Sequence, residues 1–129
     1  TVATEDGKET TGVLGTRIPV DISMQNLNPN DFDLLVLPGG AKAMEYIRQN
    51  KLVLDIIRKW YEDGKIIASI CHATQLLISA KIAAGKKLSG YYSIKDDINN
   101  AGAKYIDAPF VTDGNIITSP HYKHLGPWM

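Results

Sequence analysis

The chain contains a single cysteine, Cys71, and the residue after it is a histidine, His72. A thiol becomes a strong nucleophile only as thiolate, and an adjacent imidazole is a natural acceptor for its proton. The surrounding pentapeptide, Ser69-Ile70-Cys71-His72-Ala73, places small side chains two before and two after the cysteine. A nucleophile elbow needs that pattern, because the backbone turns so sharply there that larger neighbours would collide. A cysteine at the onset of a helix also feels the positive end of the helix dipole, which favours thiolate. The amide of His72 would point toward an oxyanion forming near the sulfur, and a second amide is expected from Gly40, in the loop Pro38-Gly39-Gly40. A lone cysteine in an apolar run can equally be a small buried hydrophobe. A second histidine competes for the role of base. His121 follows the last predicted strand, where a loop at the end of the sheet could reach the cysteine. His121 and His124 lack a nearby Cys or acidic partner, so no metal site is predicted.

The elements that must position these residues are short. Ile66–Ile70 is an apolar, β-rich run that leads into the elbow with no loop between, and a helix is expected from there to about Ala84, burying Leu76, Leu77, Ala80 and Ala83 and stopping at Gly85. Asp33–Leu37 is a continuous apolar run closed by Pro38-Gly39-Gly40, which predicts a buried parallel strand feeding a tight loop. Helix is predicted from Ala41. Leu52, Ile56 and Trp60 recur every four residues through Lys51–Glu62, and Gly64 sits where a left-handed cap belongs. Before these, Val2–Thr4 reads as strand, Gly12–Gly15 and Arg17–Ile22 as short extended pieces near a sheet edge, and Asn26–Asp31 as a turn cluster. After them, strand is predicted at Lys87–Tyr92 and helix at Ser93–Ala101, with Ser93 and Asp96 as an approximate capping box. Ala103–Ile106, Phe110-Val111 and Asn115–Thr118 read as strands, the last two joined by a turn at Asp113-Gly114. The tail Ser119–Met129 reads as irregular. Strands alternating with helices imply an α/β fold, with a mostly parallel sheet covered on both faces.

Composition narrows the function classes. The 129 residues suit one domain with a genuine core, at 44% apolar and 22% charged. Fourteen basic residues balance fourteen acidic ones, so there is no basic footprint for nucleic acid or for a membrane surface. No apolar run approaches the ~20 residues needed to span a bilayer. One cysteine excludes an intrachain disulfide and fits a reducing, cytoplasmic setting.

Leu35-Val36-Leu37-Pro38-Gly39-Gly40, Glu45, Ala68-Ser69-Ile70-Cys71-His72, Tyr91 and Asp96-Asp97, extended by Asn100–Ala103 and Val111–Asn115, resemble the ThiJ/PfpI family of the class I glutamine amidotransferase-like superfamily. The resemblance covers nearly the whole chain and is specific in combination. It implies a flavodoxin-like, doubly wound sandwich with the cysteine at the elbow. In the PfpI-type branch it implies catalysis by Cys71, His72 and Glu45. The glutamate reaches over from a neighbouring subunit, so the chain is expected to form a homo-oligomer, a dimer or higher. Tyr91 matches a position lining the same pocket, with Gly39 and Gly40 on the oxyanion side.

The same resemblance implies that a strand and helix of roughly 30–40 residues precede the segment seen here and that a further helix follows it. The chain is therefore expected to be an incomplete ThiJ/PfpI-like domain, or to have its missing strand supplied otherwise. The implied activity is that of a cysteine-dependent hydrolase acting on peptide or amide bonds, or on small dicarbonyl adducts in the manner of a glyoxalase or deglycase. The alternative is a stress-associated redox sensor or chaperone-like protein whose cysteine oxidises without turnover. Glutaminase activity is disfavoured, because Ser69 and Ala73 replace the glycines of its signature. No cofactor is implied.

Overall fold

The computed structural model describes residues 1–128, and the chain divides into two compact units, Thr1–Asp31 and Phe32–Met129. The first unit is built from four two-residue strands. β1 (Ala3–Thr4) pairs in parallel with β4 (Ile22–Ser23), and β2 (Thr10–Thr11) pairs antiparallel with β3 (Arg17–Ile18). Gly12–Gly15, expected to be extended, is instead the tip between β2 and β3. The Gly12 amide donates to the Thr16 carbonyl and the Gly15 amide to the Gly12 carbonyl, which closes a turn. Two short 3-10 turns, Met24–Asn26 and Pro29–Asp31, occupy the predicted turn cluster.

The second unit carries the site. Its main sheet contains β5 (Leu34–Leu37), β6 (Ile66–Ile70), β9 (Val111–Asp113) and β10 (Ile116–Ser119) in the order β5-β6-β10-β9. The first three run parallel and β9 returns antiparallel through the predicted Asp113-Gly114 turn. A separate parallel pair joins β7 (Lys87–Leu88) to β8 (Lys104–Tyr105). The helices are α1 (Ala41–Ile47), α2 (Lys51–Glu62), α3 (Thr74–Ser79), α4 (Lys95–Asn100) and α5 (Leu125–Trp128). Together they make a flavodoxin-like α/β fold. Side chains alternate along β6: Ala68 and Ile70 cluster with Trp128 of α5 and Ile117 of β10, whereas Ser69 faces Thr74 of α3. The central strand β6 is therefore covered on both faces.

Capping explains where the helices end. Asn50 caps α2 by accepting from the Val53 amide, at 3.3 Å. At its other end the Gly64 amide donates to the Tyr61 carbonyl and the Lys65 amide to the Trp60 carbonyl, which is the Schellman pattern. The same two bonds close α3, five residues earlier than the periodicity predicts. Lys81 donates to Ile78 and Ile82 to Leu77, with Lys81 in the left-handed region at φ +61°. Leu76, Leu77, Ala80 and Ala83 are buried as expected, but the last two lie beyond the helix.

Other expectations need correction. The strand predicted over Lys87–Tyr92 stops at Leu88, because the chain then turns toward the elbow: the Tyr91 amide donates to the Cys71 carbonyl at 3.2 Å. Ser93 caps nothing. It lies in a 3-10 turn, Tyr92–Ile94, and α4 starts after it with no side-chain cap. The tail is ordered into a 3-10 turn, Tyr122–His124, followed by α5, with Met129 outside the described residues. β5 is parallel as predicted but not buried on both faces. Among the described residues it pairs with β6 alone, and Leu34 and Val36 are 48% and 44% exposed.

Candidate active site

β6 delivers Cys71 at its C-terminal end. Ile67 and Ser69 are fully buried and Ala68 and Ile70 nearly so, which makes β6 the rigid floor of the site. Cys71 then adopts φ +62°, a left-handed conformation that costs a non-glycine residue about 1–2 kcal/mol. It opens the 3-10 turn Cys71–Ala73, which runs directly into α3. The elbow expected from small flanking residues is present, and its backbone geometry explains them: Ser69 and Ala73 are both completely buried against the turn.

The loop after β5 meets the cysteine from the side. A Cβ on Gly39 would lie 2.8 Å from the Cys71 Cβ and 3.0 Å from the Ile70 carbonyl oxygen, so any side chain there would displace Cys71. Gly40 follows at φ +119° and leads into α1. The two glycines thus have separate tasks, close approach at Gly39 and an unusual backbone angle at Gly40.

The thiol and the neighbouring imidazole face each other, with Cys71 Sγ 3.4 Å from His72 Nδ1. Burial pushes the His72 imidazolium below its ordinary pKa and so favours the neutral ring, the form able to accept a proton. The other ring nitrogen, Nε2, lies 3.3 Å from Ser93 Oγ. Tyr91 stacks on the His72 ring with centroids 4.8 Å apart, and its other neighbours are Tyr92 at 4.8 Å and His121 at 6.0 Å. His121 meets the site through Tyr91, on which it stacks. Its Nδ1 accepts from the Lys123 amide at 3.2 Å, and its ring lies tilted against that of Tyr122, centroids 3.9 Å apart. Of the two candidate bases, His72 is the one in contact with the sulfur. Glu45 lies exposed on α1, with no hydrogen bond or ion pair to any described residue. Among the described residues, no three His, Cys, Asp or Glu side chains gather where they could hold a metal ion, and no helix is long and apolar enough to cross a membrane.

Behind the elbow lies a set of buried hydroxyls. Thr74 Oγ1 donates to the Ser89 carbonyl at 3.0 Å, so the 3.5 Å contact between Ser69 and Thr74 has Ser69 as donor. The Ser89 amide donates to Thr118 Oγ1 at 2.8 Å, and Ser89 Oγ to the Ala108 carbonyl at 3.3 Å. Ser69, Thr74, Ser89 and Thr118 are all fully buried. They tie β6, α3, β10 and the segment after β7 to one another, and hold the turn that carries Cys71. Neither these residues nor Ser93 stand out in the sequence as a site. Small hydroxyl residues are common in loops and caps, and only the fold brings them together.

The fold and the site define a class, a flavodoxin-like α/β protein with a cysteine at a nucleophile elbow and an adjoining histidine. The profile of the DJ-1/PfpI family matches residues 1–129, and the chain belongs to that family. It is 46% identical over 119 residues to the deglycase TK1284 of Thermococcus kodakarensis and 44% identical over 119 residues to the deglycase PfpI of Pyrococcus furiosus. Each match covers 92% of this chain and 71% of the relative. The crystal structure of Drosophila melanogaster DJ-1beta superposes with a TM-score of 0.86 at 32% identity, covering 95% of this chain and 66% of that one.

Proposed function

We propose that this chain is a cysteine-dependent hydrolase-like enzyme of the PfpI type, acting on small dicarbonyl adducts of amino groups and thiols in the manner of a deglycase, or on peptide and amide bonds. The observation that carries the reading is the 3.4 Å contact between Cys71 Sγ and Nδ1 of a histidine whose neutral form burial favours. The deglycase names of two relatives support the choice of substrate class. On a peptide or amide bond, His72 Nδ1 takes the thiol proton and the thiolate attacks the carbonyl carbon that bears the leaving amine. The amides of Gly40 and His72 hold the resulting oxyanion, and His72 returns the proton to the leaving group before water releases the product. Gly39 keeps the loop against the cysteine, and Tyr91 forms a wall of the pocket. Glu45, exposed on α1, is suited to reach the site of a neighbouring copy, which makes the working form a homo-oligomer. Its setting is the cytoplasm, where a lone thiol stays reduced.

The test is turnover of methylglyoxal adducts of N-acetylated cysteine, lysine and arginine, and of peptide amides, by the native chain and by Cys71→Ala and Cys71→Ser. Both variants are expected to lose about 10³-fold or more in kcat/KM. Retained turnover would overturn the reading. Cys71 is free and partly exposed, which also supports the redox-sensor alternative. Intact mass after mild peroxide separates the two, since oxidation without turnover of any of these substrates favours the sensor.

A further inference from the structure

We infer that Ser93 is a positioning residue for His72, supplying from within the same chain the second contact that fixes the imidazole as base for Cys71. The inference rests on the proposed Cys71–His72 reading and extends it to a residue with no assigned role. His72 has two ring nitrogens. Nδ1 faces the thiol at 3.4 Å, and Nε2 lies 3.3 Å from Ser93 Oγ. For Nδ1 to accept the thiol proton it must carry none itself, so in the neutral ring the proton sits on Nε2 and points at Ser93. The hydroxyl oxygen of Ser93 accepts that N–H and turns its own O–H toward water, which it can reach because Ser93 is exposed.

When the thiol proton moves to Nδ1, the Nε2–H bond to Ser93 remains in place. The same contact then stabilises the imidazolium beside the thiolate, and a hydrogen bond to a charged partner is stronger than one to a neutral partner. The opposite tautomer would need Ser93 to donate to Nε2 and would leave Nδ1 with a proton facing the thiol, unable to act as base. A hydroxyl can serve either tautomer, so what Ser93 fixes is the orientation of the ring, with Nδ1 toward the thiol. Its placement depends on the fold: the Tyr91 amide is bonded to the Cys71 carbonyl, and that bond brings the 3-10 turn with Ser93 beside the elbow. The titratable groups facing the ring are Cys71 on one side and Tyr91 stacked on its plane, with His121 stacked on Tyr91.

Cys71 is the chain's one thiol, so its alkylation by iodoacetamide reads the site without interference. Second-order rates from pH 5 to 9 would be measured for the native chain, Ser93→Ala, Ser93→Thr and His72→Ala, with melting temperatures recorded in parallel. Ser93→Ala is expected to slow alkylation about fivefold near pH 7, the effect of one lost hydrogen bond, and to move the pH profile toward that of a free thiol. Ser93→Thr, which keeps the hydroxyl, is expected to restore the native profile, and His72→Ala to slow the reaction at least as much as Ser93→Ala. A native profile in Ser93→Ala beside a slowed His72→Ala would overturn the role of Ser93 and leave the Cys71–His72 reading standing. Equal slowing in Ser93→Ala and Ser93→Thr would also overturn it, as a packing effect and not a hydroxyl effect. A native profile in His72→Ala would overturn the underlying base assignment and the role of Ser93 with it.

Discussion

β5 and β6 lie side by side, parallel and in register from Leu34 opposite Ile66 to Leu37 opposite Ser69. Each ends at the site, one in the Pro38-Gly39-Gly40 loop and the other in Cys71. As sequence they look alike, a short apolar run followed by small residues. In the structure they differ. β6 has strands on both sides, with Ile67 fully buried, whereas among the described residues β5 is paired on one side and leaves Leu34 and Val36 about half exposed. An apolar run reports that a strand is suited to burial, not how many neighbours it has. The difference also divides the labour at the candidate site: the central strand holds Cys71, and the edge strand contributes only a backbone that approaches it.

Substitutions on the two strands test that contrast. Ile67→Ala, in the fully buried strand, is expected to destabilise by about 3 kcal/mol, whereas Leu34→Ala should cost less than about 1 kcal/mol. Denaturant midpoints would measure both, and equal losses would break the distinction. Gly39→Ala is expected to cost about 2 kcal/mol, because its Cβ would stand 2.8 Å from that of Cys71. It should also slow alkylation of Cys71, and unchanged stability with unchanged reactivity would show that the loop can move away freely.

The smallest effect expected is a pH dependence. Burial lowers the His72 pKa in the folded chain, so below the ordinary imidazole value the unfolded chain binds more protons. The stability linked to the neutral ring is therefore fully present above the unfolded pKa of about 6.5 and is lost as the pH falls through the folded value. Between pH 8 and pH 5 the native chain should lose more stability than His72→Gln, and parallel curves would show that the ring is not desolvated.

Much of this was legible from residue types because the signals are local. Ser69 and Ala73 flank the cysteine as a sharp turn requires, Gly64 ends α2, and Asp113-Gly114 turns the last hairpin. The failures have physical causes. The Schellman motif of α3 uses Lys81 where glycine is the usual mark, so the helix reads five residues too long. Ser93 stands three residues before an aspartate and imitates a capping box, yet its partner is His72, 21 positions earlier, and no local pattern encodes that contact. The hydroxyls of Ser69, Thr74, Ser89 and Thr118 were invisible as a set for the same reason. Glu45 is the converse case: the family resemblance singles it out, while among the described residues its carboxylate makes no hydrogen bond or ion pair.

The placement of Cys71 at the end of the most enclosed strand has a consequence for motion. Amides of a central strand exchange with solvent only through the larger openings of a protein, whereas exposed turns open often and at little cost. Ser93 belongs to such a turn, whereas Cys71 opens its own 3-10 turn directly from the buried end of β6. Brief local openings would thus change what surrounds the sulfur while the sulfur itself stays where it is.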